Sequence, residues 1–179
     1  MALRNWALPC LLILSPPAAA QYSQGQQGLS AVQRAISGAT TRVFVFAPWL
    51  KSQPVADSLR AAMVQRGIKV TILTSSSTLV EPGSYFLGLK LAGADLRTTV
   101  INNLETSGPF VLVDDRILLT TTSVLSSDPY TATTRQITDI RTINSYRDWA
   151  ARTTKISTSI HPTTAAYLLA YPRLKKDLR

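Results

Sequence analysis

Strand-like and helix-like segments alternate between residues 42 and 101, and two apolar runs then follow with almost nothing between them. The alternation predicts an α/β domain whose first strands are parallel. The closely spaced pair predicts an antiparallel hairpin, so the sheet is mixed. The expected fold class is therefore α/β: a mixed β-sheet flanked by helices, in a single domain over residues 29–179.

Each element follows from local chemistry. "LSAVQRAISGA" carries Leu29, Val32, Ala35 and Ile36 at helical spacing. "TRVFVFAPWL" is β-branched and aromatic and is stopped by Pro48, which predicts a buried strand over 42–47. In "SQPVADSLRAAMVQRG", Ser52 is placed to cap a helix, Pro54 sits in its first turn, and Val55, Leu59, Ala62 and Met63 share a face. Gly67 ends it. "IKVTILT" is the next strand (68–74), "GSYFLGLKLAG" a shorter helix closing near Gly93, and "DLRTTVI" a third strand. The hairpin is expected over 110–114 and 117–122, joined by Asp115-Arg116. "RQITDIRTI" is expected to be a strand, "NSYRDWAART" a helix, and "TTAAYLLAYPRLKKDLR" a helix with a basic end.

The first twenty residues read as a leader. Arg4 precedes an apolar stretch from Trp6 to Leu14, then come Pro16-Pro17 and Ala18-Ala19-Ala20. That order predicts an export signal cleaved before Gln21, leaving the protein periplasmic or secreted. The apolar stretch is shorter than the ~20 residues a membrane span requires. The other reading is an uncleaved N-terminal anchor. "QYSQGQQG" (21–28) is expected to be a flexible polar segment ahead of the domain.

Cleavage would remove Cys10, the only cysteine. The remaining chain would then have no disulfide, no thiolate nucleophile and no cysteine-based metal site. It must be held by its core, and the 159 residues after Ala20 suffice for one. Without Arg4 they carry 18 basic against 10 acidic residues, a net charge of +8. Such a surface attracts nucleic acid, anionic phospholipid or acidic polysaccharide. The adjacent Asp114 and Asp115 point apart on an extended chain and make a poor metal site. No metal or other cofactor is expected.

The order of elements resembles the phospholipase D superfamily. A strand ending in Pro, a helix closing in "RG" and then "IKVTILT" resemble the first half of that domain, "LKLAGADLR" its Gly turn and edge strand, and "ITDIRTINSYRDWAART" its later strand and Trp-bearing helix. The family signature, H-x-K-x-x-x-x-D followed by G-S and x-N, falls on the hairpin with Asp114 fixing the register. Ser107 then stands at the histidine position and Pro109 at the lysine position. Thr121 and Thr122 stand at Gly-Ser, and Val124 at the asparagine. Only Asp114 is kept, with Thr122 replacing one hydroxyl by another.

The resemblance implies phosphodiester transfer through a phosphohistidine, with a second histidine as acid and lysines on the phosphoryl oxygens. A neutral imidazole and fixed positive charge are what that chemistry needs. Ser107 lacks a base of its own, and Pro109 has neither charge nor N–H. The single histidine, His161, stands far along the chain before Pro162 and reads as a surface or capping residue. The chain is therefore expected to be a non-catalytic relative that uses Ser107, Thr121 and Thr122 to hold phosphate, or that serves a partner protein. The alternative is an active phosphodiesterase, a nuclease or phospholipase, built unconventionally from Ser107, Asp114, Thr122 and His161. Because the family's cleft takes two motif copies, a homodimer, or a heterodimer with an intact relative, is expected. "FVLV" and "ILLT" would supply apolar edges for such pairing.

Overall fold

A computed structural model describes residues 21–99, 108–122, 125 and 132–171. In chain order the elements are β1 (Gln21–Gln24), α1 (Gly25–Ser37), β2 (Arg42–Phe46), α2 (Gln53–Arg66), β3 (Lys69–Ser75), α3 (Phe86–Leu91) and β4 (Asp95–Thr99). They continue with β5 (Phe110–Val113), β6 (Ile117–Thr121), β7 (Thr133–Ile137), α4 (Ile140–Ile156), β8 (Thr158–Ser159) and α5 (Pro162–Ala170). The eight strands form one sheet in the order β1-β7-β6-β5-β2-β3-β4-β8. β2, β3 and β4 are parallel, and every other pairing is antiparallel. The mixed α/β sheet is thus the one the sequence predicts.

Burial explains why the apolar runs differ. The face covered by α1, α2, α3 and α5 holds the larger core, including Val32 and Ile36, Val55 and Leu59, Phe86 and Leu89, and Leu168. Among the described residues, the other face is covered by α4 alone, over Phe46, Leu73, Phe110, Leu112 and Leu118. Phe110 is the hub of that second core. Its ring centroid lies 5.6 Å from Phe46, 4.9 Å from Tyr146 and 5.6 Å from Trp149. β5 is buried at every position, which is why "FVLV" reads as a continuous apolar run rather than an alternating one.

Helix ends are settled by specific groups. α2 closes on Gly67, which adopts φ +68 and donates its N–H to Met63. Ser52 stands at the N-cap of α2 but makes no side-chain capping bond; its carbonyl accepts from Ala56 and its N–H goes to Leu125. The carbonyls at the end of α1 are taken by the Arg66 guanidinium, from Ile36, Ser37 and Ala39. Arg97 does the same for α4 through Thr154 and Ser157.

Several expectations are corrected. Residues 21–28 are not a flexible leader: 21–24 pair with β7 as an edge strand and 25–28 begin α1. The strand expected over "RQITDIRTI" ends at Ile137. Asp139 then caps α4, accepting from Thr142 N (2.8 Å) and Thr142 Oγ1 (2.7 Å). Ile137, Ile140 and Ile143 are spaced by threes, a helical interval, and Ile143 is buried on α4. "FVLV" and "ILLT" are not edges, because β5 and β6 lie inside the sheet; the edges are β1 and β8. The proposed signal segment (1–20), Ser107 and Val124 lie outside the described residues, as do 172–179. No described helix is long and apolar enough to cross a membrane.

Candidate phosphate-binding site

The β5–β6 hairpin places the motif positions at two opposite ends. Its turn end holds Asp114, Asp115 and Arg116, one residue more than the two-residue connection expected. Asp114 and Asp115 both have positive φ (49° and 55°), and Arg116 donates its N–H to Val113 O at 2.9 Å. Positive φ at both central residues defines a type I′ turn, which Asp tolerates better than most side chains.

Among the described residues, Asp114 borders neither of the two cavities on the α4 side of the sheet. Its carboxylate accepts five hydrogen bonds from the segment leading into β2: Thr40 N (2.7 Å), Thr40 Oγ1 (2.9 Å), Thr41 N (2.8 Å), Thr41 Oγ1 (2.8 Å) and Arg42 N (2.9 Å). Partial burial alone would raise its pKa. The bonds from Arg42, Thr40 and Thr41 outweigh burial and hold the carboxyl well below the usual carboxylate range. Asp115 pairs with the Arg42 guanidinium. Asp114 thus clamps the hairpin to β2.

The open end of the hairpin is different. β5 starts beside the end of β2, with Phe46 opposite Phe110, and Gly108 (φ +60) and Pro109 lead into it. Pro109 O accepts from Thr121 N at 3.0 Å, and Thr122 N donates to Thr133 O at 3.1 Å. Register brings Tyr22, Arg135 and Thr120 into one row across β1, β7 and β6. With Gly108, Pro109, Thr121, Thr122 and Thr133 they line a depression of about 300 Å³. It lies on the α4 side of the sheet, since Thr120 is also opposite Phe110.

That lining offers hydroxyls and one cation, and no carboxylate. Thr122 Oγ1 accepts from Thr133 N at 3.0 Å and lies 3.4 Å from Thr133 Oγ1, so the two hydroxyls form a pair. The Arg135 guanidinium sits 5.5 Å from the Tyr22 ring centroid, and among the described residues it forms no salt bridge. Hydroxyl donors beside an uncompensated guanidinium suit an anion such as phosphate. They do not suit proton transfer near neutral pH.

The predicted site residues divide accordingly. Pro109 and Thr122 border the depression. Thr121 borders it as well but is 5 % exposed, and its hydroxyl accepts from Thr134 at 3.4 Å. Thr134 packs against Gly28, where an added Cβ would come within 2.8 Å of its Oγ1, so this pair points to α1. Thr121 is therefore largely buried toward α1, and Thr122 is the more exposed of the two at the depression. Asp114 lies four residues along the hairpin from Phe110, about 14 Å away at strand rise. His161 caps α5, its Nδ1 accepting from Thr163 N at 3.3 Å, beside β8. β8 is five strands from β6, roughly 24 Å. Asp114, Thr122 and His161 are thus not brought together. Tyr22, Thr133 and Arg135 were not anticipated. Only the alternation of "TTRQI", with Thr133 and Arg135 on the face of Ile137, hinted at two of them.

A second cavity, about 310 Å³, opens under α4 at the other end of the sheet, lined by Arg42, Phe44, Leu112, Arg147 and Asp148 among others. Both arginines there are ion-paired, Arg42 with Asp115 and Arg147 with Asp148. It offers an anion less free charge than the Arg135 depression.

Neither a protein-family model nor a curated protein sequence matches the chain. Solved structures do. A phospholipase D family member, Nuc, from Salmonella typhimurium superposes with a TM-score of 0.64 at 17% identity, over 80% of this chain and 98% of that one. NucT from Helicobacter pylori gives 0.64 at 16%, over 79% and 100%. TrmBL2, an archaeal chromatin protein whose structure shows a mode of DNA binding, gives 0.58 at 16%, over 83% and 57%. The fold of this chain is the phospholipase D superfamily fold.

Proposed function

We propose that this protein is a non-catalytic bearer of the phospholipase D fold that binds a phosphate-bearing polyanion, nucleic acid foremost, at the Arg135 depression. The observation that carries the reading is the makeup of that depression: Thr120, Thr122, Thr133 and Arg135 supply donors and charge, while the lysine position holds Pro109. The net charge of +9 over the full chain favours the same ligand class. DNA binding by the similarly folded chromatin protein agrees with it. The active-phosphodiesterase alternative is disfavoured by the separation of Asp114 and His161 from Thr122.

Two further parts of the proposal come from the sequence. The order of Arg4, the apolar stretch and Ala18–Ala20 supports export with cleavage before Gln21. A single motif copy supports pairing, with a second copy of this chain or an intact relative, though the hairpin strands themselves provide no edge for it. The test incubates the chain from Gln21 with DNA and, separately, with anionic phospholipid vesicles, scoring binding and cleavage. Salt-sensitive DNA binding that weakens in Arg135→Ala, without cleavage, is the expected result. Cleavage, or vesicle binding alone, would overturn the reading.

A further inference from the structure

We infer that the Tyr22–Arg135–Thr120 row is a stacking platform for single-stranded nucleic acid, with a base on Tyr22 and the adjoining phosphate on Arg135 and the threonine hydroxyls. The inference rests on the polyanion reading and narrows it.

Tyr22 is 70 % exposed, although it lies in a strand and pairs directly with Arg135. One face of its ring is engaged by the guanidinium at 5.5 Å. That contact orients the ring and leaves the rest of it to solvent. An exposed aromatic on an open sheet surface beside a cation is the arrangement that stacks unpaired bases. α4 packs over Phe110, Leu112, Leu118 and, at the far end of β7, Ile137, while among the described residues Tyr22 on β1 keeps most of its surface open. Neighbouring strands are about 4.8 Å apart, so Thr120 lies ~10 Å from Tyr22 across the row. A nucleotide with its base on Tyr22 therefore has its phosphate over Arg135, with hydroxyls beyond.

Geometry separates this ligand from a duplex. In a duplex the π-faces of the bases are stacked on one another, leaving Tyr22 only backbone to touch. A free polyphosphate has charge and no base, so it would use Arg135 and the hydroxyls but not Tyr22. Binding at Tyr22 and binding at Arg135 can thus be read separately.

The experiment is fluorescence anisotropy of the chain from Gln21 with four probes at one salt concentration. These are oligo-thymidylate and oligo-uridylate of about 16 nucleotides, a DNA duplex of the same length, and inorganic polyphosphate as competitor. The expected result is tighter binding of both single strands than of the duplex. Tyr22→Ala should weaken single-strand binding by about 5- to 150-fold, the range of one base–aromatic stack, and leave the duplex and polyphosphate unchanged. Tyr22→Phe, which keeps the ring, should bind as the parent does. A preference between thymidylate and uridylate tells DNA from RNA. Equal binding of single strand and duplex, with Tyr22→Ala unchanged, overturns the platform and leaves the polyanion reading standing. Equal weakening of single strand and polyphosphate by Tyr22→Ala also overturns it, because Tyr22 would then act by positioning Arg135. Failure of every probe to bind overturns both readings.

Discussion

The two ends of one hairpin have opposite characters. At the turn end, five hydrogen bonds converge on the Asp114 carboxylate and tie the turn to the start of β2. At the other end, Thr120, Thr122 and Thr133 stand beside Arg135 in an open depression. The one residue identical to the resembled signature is bonded into the turn, while of the residues suited to a ligand only Thr122 falls on a signature position. A match at one signature position is therefore weak evidence of chemistry, and what the residue is bonded to says more.

Stability should show the contrast most strongly. Asp114→Ala leaves the donors of Thr40, Thr41 and Arg42 without their acceptor and puts alanine at positive φ, so a loss of about 2–4 kcal/mol is expected. Arg135→Ala should stay within roughly 0.5 kcal/mol, as exposed substitutions usually do. Urea midpoints at unchanged m-value measure both. Equal losses at the two sites would break the comparison.

Acid should separate the ends next. The carboxyl of Asp114 titrates lower in the folded chain than the ~3.9 of an unfolded one. Its contribution is therefore fully present above about pH 5 and is lost as pH falls through 4 and below. Asp139 shifts in the same direction through its Thr142 bonds. The informative quantity is thus the difference between the parent and Asp114→Asn, which should shrink between pH 5 and 3. Asp114→Asn matching the parent at neutral pH would show that the clamp does not need charge.

Binding should show the reverse assignment with a smaller energy. Arg135→Ala is expected to weaken DNA binding roughly tenfold and to lower the salt slope by about 0.7 on a single strand. Asp115→Gly at the turn should leave affinity unchanged, since that end faces away from the ligand.

How much of this was legible in the sequence depends on range. The order from β2 to β6 followed from local periodicity, and Gly67 from the chemistry of helix ends. The boundary at Asp139 was misjudged because a strand residue, Ile137, and a helix residue, Ile143, share a spacing that either period accommodates. Tyr22 and Arg135 could not be paired by inspection, since they meet only through the β1–β7 register and stand more than a hundred residues apart. The clamp role of Asp114 was half visible: the turn was expected, while its bonds to Thr40 and Thr41 required the fold. Thr121 and Thr122, adjacent in sequence, went to opposite faces by strand alternation, which buries the first and exposes the second.

The smallest expected effect is on catalysis. Phosphodiester transfer by this fold, as the family resemblance implies it, needs an imidazole at the attacking position and cations on the phosphoryl group. The described depression has one cation, Arg135, and hydroxyls with no base beside them. The single imidazole is engaged as a helix cap five strands away. Turnover of a generic phosphodiester should therefore equal the rate without protein, and neither Ser107→Ala nor His161→Ala should change it. Pro109→Lys would restore a charge to the signature position but no nucleophile, so it should raise affinity for phosphate and leave turnover at zero. Turnover that survives repurification and disappears in Ser107→Ala would show that the open end of the hairpin retains chemistry, and that Asp114 was then kept for more than its bonds to β2.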